Sequence, residues 1–484
     1  MAEGTLYETV IGLEVHAQLL TKSKLFCGDS IQYGAEPNTQ VSAISLAHPG
    51  TLPKMNRKAI EHAIALGLAC NCEIVKENFF ARKNYFYPDL PKGYQVSQHT
   101  TPICKNGFIM IRTDGVEKKI RLNRIHLEED AGKSLHEKDH LHSYIDLNRA
   151  GTPLVEIVTE PDLRSGEEAF AYLSIIRRWV RYLGICDGNM EEGSLRCDAN
   201  ISVRKKGETK LGTRVEVKNL NSIRNVKRAI EGESMRLIGQ LERGETIIQQ
   251  TRSFNADTGT SFPIRNKEEA DDYRYFPEPD LTPFRISNAF IEEIGRSLAI
   301  LPEERARIYT TELQLSEYDA SLLVDEKAFS DYFEQLLKAS PGIRPKALAN
   351  WMLGPVKNWL NESGKEISGF PLPPGTLSSL VHLVESGKCS FTVASGKLFA
   401  EMIRKPGADP KELAIKMNLL LESDSSSMEL VIDKVLNKLA TKVEEYKNGK
   451  KGLLALFVGE VMKETKGKAD PKLANELLLK KLKP

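Results

Sequence analysis

Between residues 9 and 218, period-two alternation of apolar and polar side chains returns in segment after segment, and this recurrence limits the folds open to the chain. Over residues 9–20, Leu13, Val15, Ala17 and Leu19 share one face while Glu14, His16 and Gln18 take the other, the pattern of a half-buried strand. Residues 144–149 alternate again, and 154–161 form a further short strand with Glu156 and Glu160. Residues 196–204 place apolar side chains at odd positions and polar ones at even positions, and residues 214–218 set Arg214, Glu216 and Lys218 on the polar side. Repeated alternation of this kind predicts an antiparallel sheet with one face on the core and one polar wall. A plain solvated face alternates in the same way, but it carries mostly Thr, Lys and Glu. Here the carboxylates Glu14, Asp198 and Glu216 recur with His16 and Asn200 beside arginines, which favours a lined cleft.

A second feature bears on what such a cleft holds. In the run Arg124-Ile125-His126-Leu127-Glu128-Glu129-Asp130-Ala131-Gly132-Lys133, three adjacent acids would repel one another on a free surface, and a bound cation is the simplest reason to gather them. The run is expected to be an acidic turn. Were it extended, Glu128 and Glu129 would point to opposite faces, and both would serve one site only if the backbone bent there. Magnesium takes oxygen ligands, usually one or two carboxylates with waters and substrate phosphates. Glu14, Glu128, Glu129, Asp198 and Glu216 exceed what one such ion needs, which leaves room for one ion or for two sharing the set, and the spacing of Glu14 and His16 lets both reach one ion. In that arrangement metals bridge a nucleotide's phosphates, while Arg149 or Lys92 binds the remaining oxygens. Lys92 sits in a loop, residues 84–95, rich in aromatics and stiffened by Pro88 and Pro91; a nucleotide or anion site and a loop packed on the core by its aromatics both fit it. No GxxxxGK[ST], GxGxxG, CxxC or GxSxG pattern is present, so P-loop, dinucleotide, zinc and serine-hydrolase readings have no support.

At 484 residues the chain exceeds a single core, and about two to four domains are expected. Alternating segments give way to helical spacing near residue 290, which predicts a sheet-based domain over 1–290, a helical domain over 291–410 and a helical tail over 411–484. The tail holds 15 lysines and no arginine against 11 acidic residues, either a solvated surface or an electrostatic footprint on phosphates. No apolar run approaches the roughly 20 residues that span a bilayer. The start, Met1-Ala2-Glu3-Gly4-Thr5, has neither a basic n-region nor an apolar h-region, so a cytoplasmic protein is expected. Seven scattered cysteines fit a reducing compartment, and the lone pair Cys70 and Cys72 reads as small buried hydrophobes rather than metal ligands.

With Gly12-Leu13-Glu14-Val15-His16, the acidic run, Glu191-Glu192-Gly193-Ser194-Leu195-Arg196-Cys197-Asp198, Tyr275-Phe276-Pro277-Glu278-Pro279-Asp280 and the tail Pro471-Lys472-Leu473-Ala474-Asn475-Glu476-Leu477-Leu478, the chain resembles the B subunits of tRNA-dependent aspartyl/glutamyl amidotransferases nearly end to end. The resemblance implies an α+β fold: an antiparallel-sheet catalytic domain similar to glutamine synthetase and guanidino kinases, then an all-α domain and a small helical domain that engages tRNA. It implies a heterotrimer with a glutaminase subunit that supplies ammonia and a small third subunit that clasps the other two. It also implies that ATP phosphorylates the side-chain carboxylate of glutamate or aspartate mischarged on tRNA(Gln) or tRNA(Asn), and that ammonia then displaces phosphate. The alternative is a tRNA-binding scaffold without chemistry of its own.

By the same resemblance Glu14, His16, Glu128, Glu129, Asp198 and Glu216 fall at the magnesium and ATP positions, Glu14, His16 and Glu129 among them at catalytic ones, while Tyr87, Lys92 and Arg149 are candidates for ATP. Many relatives carry a four-cysteine zinc knot where this chain has Cys27, Asp29, Ser42 and Ser45. No zinc is therefore expected, and the loop is expected to be held by packing alone.

Overall fold

The computed structural model describes residues 6–135, 142–266, 273–421, 425–465, 469 and 471–482. Residues 1–5 lie outside the described residues. The chain divides into two compact units, Met1–Leu301 and Pro302–Pro484.

The first unit is built on a large sheet flanked by helices. In chain order it runs β1 (Tyr7–Gln18), α1 (Arg57–Ala69), β2 (Ala81–Asn84), β3 (Tyr94–Ser97), β4 (Cys104–Thr113), β5 (Val116–Glu129), β6 (Pro153–Thr159), α2 (Gly166–Tyr182), β7 (Leu195–Lys205), β8 (Val215–Leu220), α3 (Ile223–Glu242), β9 (Gln250–Asn255), β10 (Thr260–Asn266) and α4 (Asn288–Ser297), with several shorter strands between. Its main path is β10-β9-β8-β7-β1-β6-β5-β3-β2, and β4 pairs with β5. The central strands alternate as their sequence requires: Leu13, Val15 and Ala17 of β1 are buried, as are Ala199 and Ile201 of β7 and Val215 and Val217 of β8. These side chains and the buried faces of α1, α2 and α3 form one apolar core. The helices begin where side chains satisfy their first amides: Asn56 caps α1, Ser165 caps α2 and Ser222 caps α3. Helices on the apolar face leave the polar face of β1, β6, β7 and β8 open to line a cavity.

Three expectations change here. The sheet is mixed rather than antiparallel, because β8 and β9 pair in parallel. The cause is α3, which lies between them in sequence and carries the chain back across the sheet, as a crossover must for parallel neighbours. The acidic run is no turn: β5 stays extended through Glu129, with Glu128 opposite Leu154 and Glu129 opposite Pro153 of β6. Third, the loop bearing Cys27, Asp29, Ser42 and Ser45 is held by more than packing. The Asp29 carboxylate accepts hydrogen bonds from the Ser42 amide at 2.8 Å and from the Ser45 hydroxyl, and Cys27 Sγ lies 3.4 Å from that hydroxyl.

Ile294 of α4 is buried in the core of the first unit. The second unit is helical. One apolar cluster gathers Phe333, Leu348, Trp351, Met352, Leu377 and Leu380 and extends to Leu413 and Ala414, while a separate cluster holds Met428, Ile432, Val435, Phe457, Val461 and Leu478.

Candidate functional site

The strand register sets out the polar wall. Glu14 lies opposite Asp198, and His16 lies between Arg196 on one neighbour and Glu156 on the other. Glu156 in turn faces His126, and Asn200 faces Glu216. Cross-strand partners share a face about 5 Å apart, so these side chains converge without any turn. All of them except the buried His126 line a cavity of 570 Å³ together with Glu128, Lys83, Tyr85, Lys218 and Tyr273. Tyr273 starts an aromatic, proline-rich segment over residues 273–281. That segment is fastened by Arg82, which donates to the buried Glu278 at 2.7 and 2.8 Å.

Within the cavity the acids fall into two groups. Glu14, Asp198 and Glu216 each present a ligand atom within 4.8 Å of the others, and so do His16, Glu128 and Glu156. In the first group, burial raises the Glu14 pKa, with the Glu156, Asp198 and Glu216 charges adding to the rise against one hydrogen bond from Asn200 at 2.8 Å. Proximity of like charge therefore disfavours the ionised form, and a divalent cation would relieve it. In the second group, His16 Nε2 stands 3.6 Å from Glu128 and 3.9 Å from Glu156. Behind them His126, fully buried, sets its Nε2 3.0 Å from Glu156 and 3.5 Å from Glu128. Burial would push its pKa down, but the two carboxylates outweigh this and raise it to about 9. The same contact overcomes the effect of burial on Glu156 and holds its carboxyl well below the usual range. Oxygen donors with one imidazole and no thiolate suit a hard cation such as magnesium.

Not every expected residue comes to this cavity. Glu129 follows Ile125 and Leu127 onto the apolar face of β5, where its carboxylate pairs with Lys92 and accepts from the Val96 amide at 2.8 Å. Glu129 and Lys92 line a second cavity of 230 Å³ with Lys24, His48 and Asp280. Asp130 lines both cavities and is itself satisfied by Arg196 at 3.0 Å and Gln18 at 2.8 Å. Arg149 is spent on structure: it lies 3.6 Å from Asp130 and donates to the Ala131 and Gly132 carbonyls at 2.8 and 2.6 Å. Tyr87 is 61% exposed and packs edge-on against Tyr85, which lines the cavity instead. A ligand-facing cation that sequence reasoning missed is Lys83, whose Nζ lies 4.8 Å from the Tyr273 ring with no carboxylate partner among the described residues. Glu156 and His126 were missed as site residues as well. Their signal was present, since Glu156 alternates in phase with the polar side of its strand and His126 is two residues from Glu128.

Comparison with known proteins shows which family the chain resembles. Residues 9–292 match the family model described as the GatB/GatE catalytic domain, and residues 331–482 match the one described as the GatB domain. The chain is 50% identical over 477 residues to the B subunit of the aspartyl/glutamyl-tRNA(Asn/Gln) amidotransferase from Thermodesulfovibrio yellowstonii, covering 99% of each chain. It is 49% identical to the protein of that description from Persephonella marina, over 99% of this chain and 100% of the relative. With the one from Geotalea uraniireducens it shares 51% identity, over 98% and 99% respectively.

Proposed function

The chain belongs to the GatB/GatE family, and from that premise we propose that it is the subunit of a cytoplasmic tRNA-dependent amidotransferase that activates the side-chain carboxylate of Glu-tRNA(Gln) or Asp-tRNA(Asn) with ATP. The observation that carries this reading is the gathering of two acid groups, Glu14–Asp198–Glu216 and His16–Glu128–Glu156, in one cavity of the sheet. A carboxylate is a poor electrophile, and phosphorylation gives it a leaving group without any protein nucleophile. Magnesium held by these acids and His16 would offset charge on the nucleotide phosphates. The chain's own part is positioning. Glu156 is kept ionised by the buried His126, which also orients Glu128, and Lys83 presents a positive charge to the anionic groups of the substrates. Tyr85 and Tyr273 narrow the cavity on the same side.

In the proposed sequence a carboxylate oxygen of the aminoacyl side chain attacks the γ-phosphorus of ATP, and the bond to the β-phosphate oxygen breaks to release ADP. Ammonia from the partner glutaminase subunit adds to the acyl carbon. The carbon–oxygen bond breaks, phosphate leaves with the former carboxylate oxygen, and the excess protons on nitrogen pass to solvent. The likeness of the catalytic domain to glutamine synthetase and guanidino kinases, the small third subunit that completes the heterotrimer and the role of the tail in binding tRNA rest on the family alone.

The test is conversion of mischarged Glu-tRNA(Gln) and Asp-tRNA(Asn) by the complex of this chain with its glutaminase and small subunits, with ATP and magnesium. Amide formation that falls at least about 100-fold in Glu156→Gln is the expected result, the scale on which loss of one electrostatic contact acts. Conversion that ignores both Glu156→Gln and Glu14→Gln would leave the chain a tRNA-binding scaffold.

A further inference from the structure

One cation stands inside the acid group on β7 and β8. Lys218 places its Nζ 2.5 Å from Asp198 Oδ2 and 2.9 Å from Glu216 Oε1. These are two of the three acids whose ligand atoms meet within 4.8 Å. Two of the three acids have other partners as well, since Thr251 donates to Glu216 Oε2 at 2.9 Å and Asn200 donates to Glu14. The side chain of Lys218 remains 41% exposed, so its ammonium reaches the acids from the cavity side rather than from the core. A flexible four-carbon stem lets such a head move by several ångströms without disturbing the strand.

An ammonium and a divalent ion cannot both sit between Asp198 and Glu216. We propose that Lys218 is the resident cation of this acid group: it neutralises Asp198 and Glu216 before ligands bind, yields its place to a divalent ion, and then turns onto a phosphoryl oxygen of the incoming nucleotide. The inference rests on the functional reading above and adds to it a residue that changes partners during the cycle. It also gives the cleft an order of events. The group is unattractive to a lone divalent ion while Lys218 is in place, and becomes a good site when nucleotide phosphate offers the displaced ammonium a new partner.

The reading predicts effects of opposite sign, which a merely structural lysine would not give. In the assembled complex, Lys218→Met is expected to bind manganese about tenfold more tightly in equilibrium dialysis and an ATP analogue about tenfold more weakly, each the equivalent of about 1.4 kcal/mol. Manganese binding that is unchanged or weaker overturns the inference, and so does tighter manganese with unaltered nucleotide binding. The unmutated complex gives a second readout that does not depend on how the variant folds. Reductive methylation of Lys218, read by mass spectrometry, should rise at least about threefold once manganese is raised far enough to fill the site without nucleotide, and fall again with the ATP analogue, because an ammonium released from its ion pairs reacts faster. Reactivity that stays constant through both additions also refutes it. If the unmutated complex makes no amide yet these binding effects appear, the functional reading fails and the lysine exchange stands; if it makes amide and they do not appear, the reverse holds.

Discussion

Replacing His126 with Gln isolates the buried charge that holds the second acid group together. The imidazole has an ordinary pKa of 6.5 and is raised to about 9 by Glu156 and Glu128, which overcome its burial. At 1.36 kcal/mol per pH unit this rise corresponds to about 3 kcal/mol of folding stability. The sign follows from its direction. With the folded value above the unfolded one, the contribution is fully present below pH 6.5 and is lost as pH rises through about 9. The unmutated chain should therefore exceed His126→Gln in stability most below pH 6.5, and the gap should shrink by about 3 kcal/mol by about pH 10. Because the chain has two compact units, the transition to follow is that of the first, read as urea-dependent hydrogen exchange of β5 and β6 peptides with divalent ions chelated. A gap of constant size across that pH range would show that His126 carries no charge in the folded chain and would refute the reasoning.

Other perturbations separate the two faces of the sheet. Glu128→Gln should weaken manganese binding at least about tenfold, whereas Glu129→Gln should leave that binding within about twofold and instead lower stability by about 3 kcal/mol through the stranded Lys92, both read by dialysis and thermal unfolding of the same samples. Asp29→Ala removes the hub of the loop at residues 27–45 and should cost about 1–3 kcal/mol, seen as faster hydrogen exchange over that loop. Metal analysis of the purified protein should find no stoichiometric zinc, and zinc at one per chain would contradict this. Lowering pH should weaken manganese binding in a range that starts above that of an ordinary carboxylate, because the Glu14 pKa is raised and its proton competes with the ion.

Much of this architecture could be read from single residues. Alternation in β1, β7 and β8 marked both the apolar core and the polar wall, and Glu14, His16, Asp198 and Glu216 were visible as residues in phase with it. Register was not visible, and register decides which polar residues become neighbours. Glu156 looked like any strand glutamate until pairing put it between His16 and His126. The parallel joint of β8 and β9 was hidden because local alternation is the same in parallel and antiparallel strands. The adjacent acids Glu128 and Glu129 suggested one shared site, yet extended backbone sends them to separate cavities. Lys92 and Arg149 offered the right charge, but charge alone does not reveal that Glu129 and the Ala131 and Gly132 carbonyls occupy them.

The claim that matters most is that the acids of the cavity serve direct activation of the substrate carboxylate. Glu-tRNA(Gln) whose side-chain carboxylate carries oxygen-18, given to the assembled complex with ATP, magnesium and glutamine, tests it in one mass measurement of the phosphate released. One heavy oxygen in each phosphate, with Gln-tRNA(Gln) formed in equal amount, is the expected result. Unlabelled phosphate accompanying amide formation would contradict it.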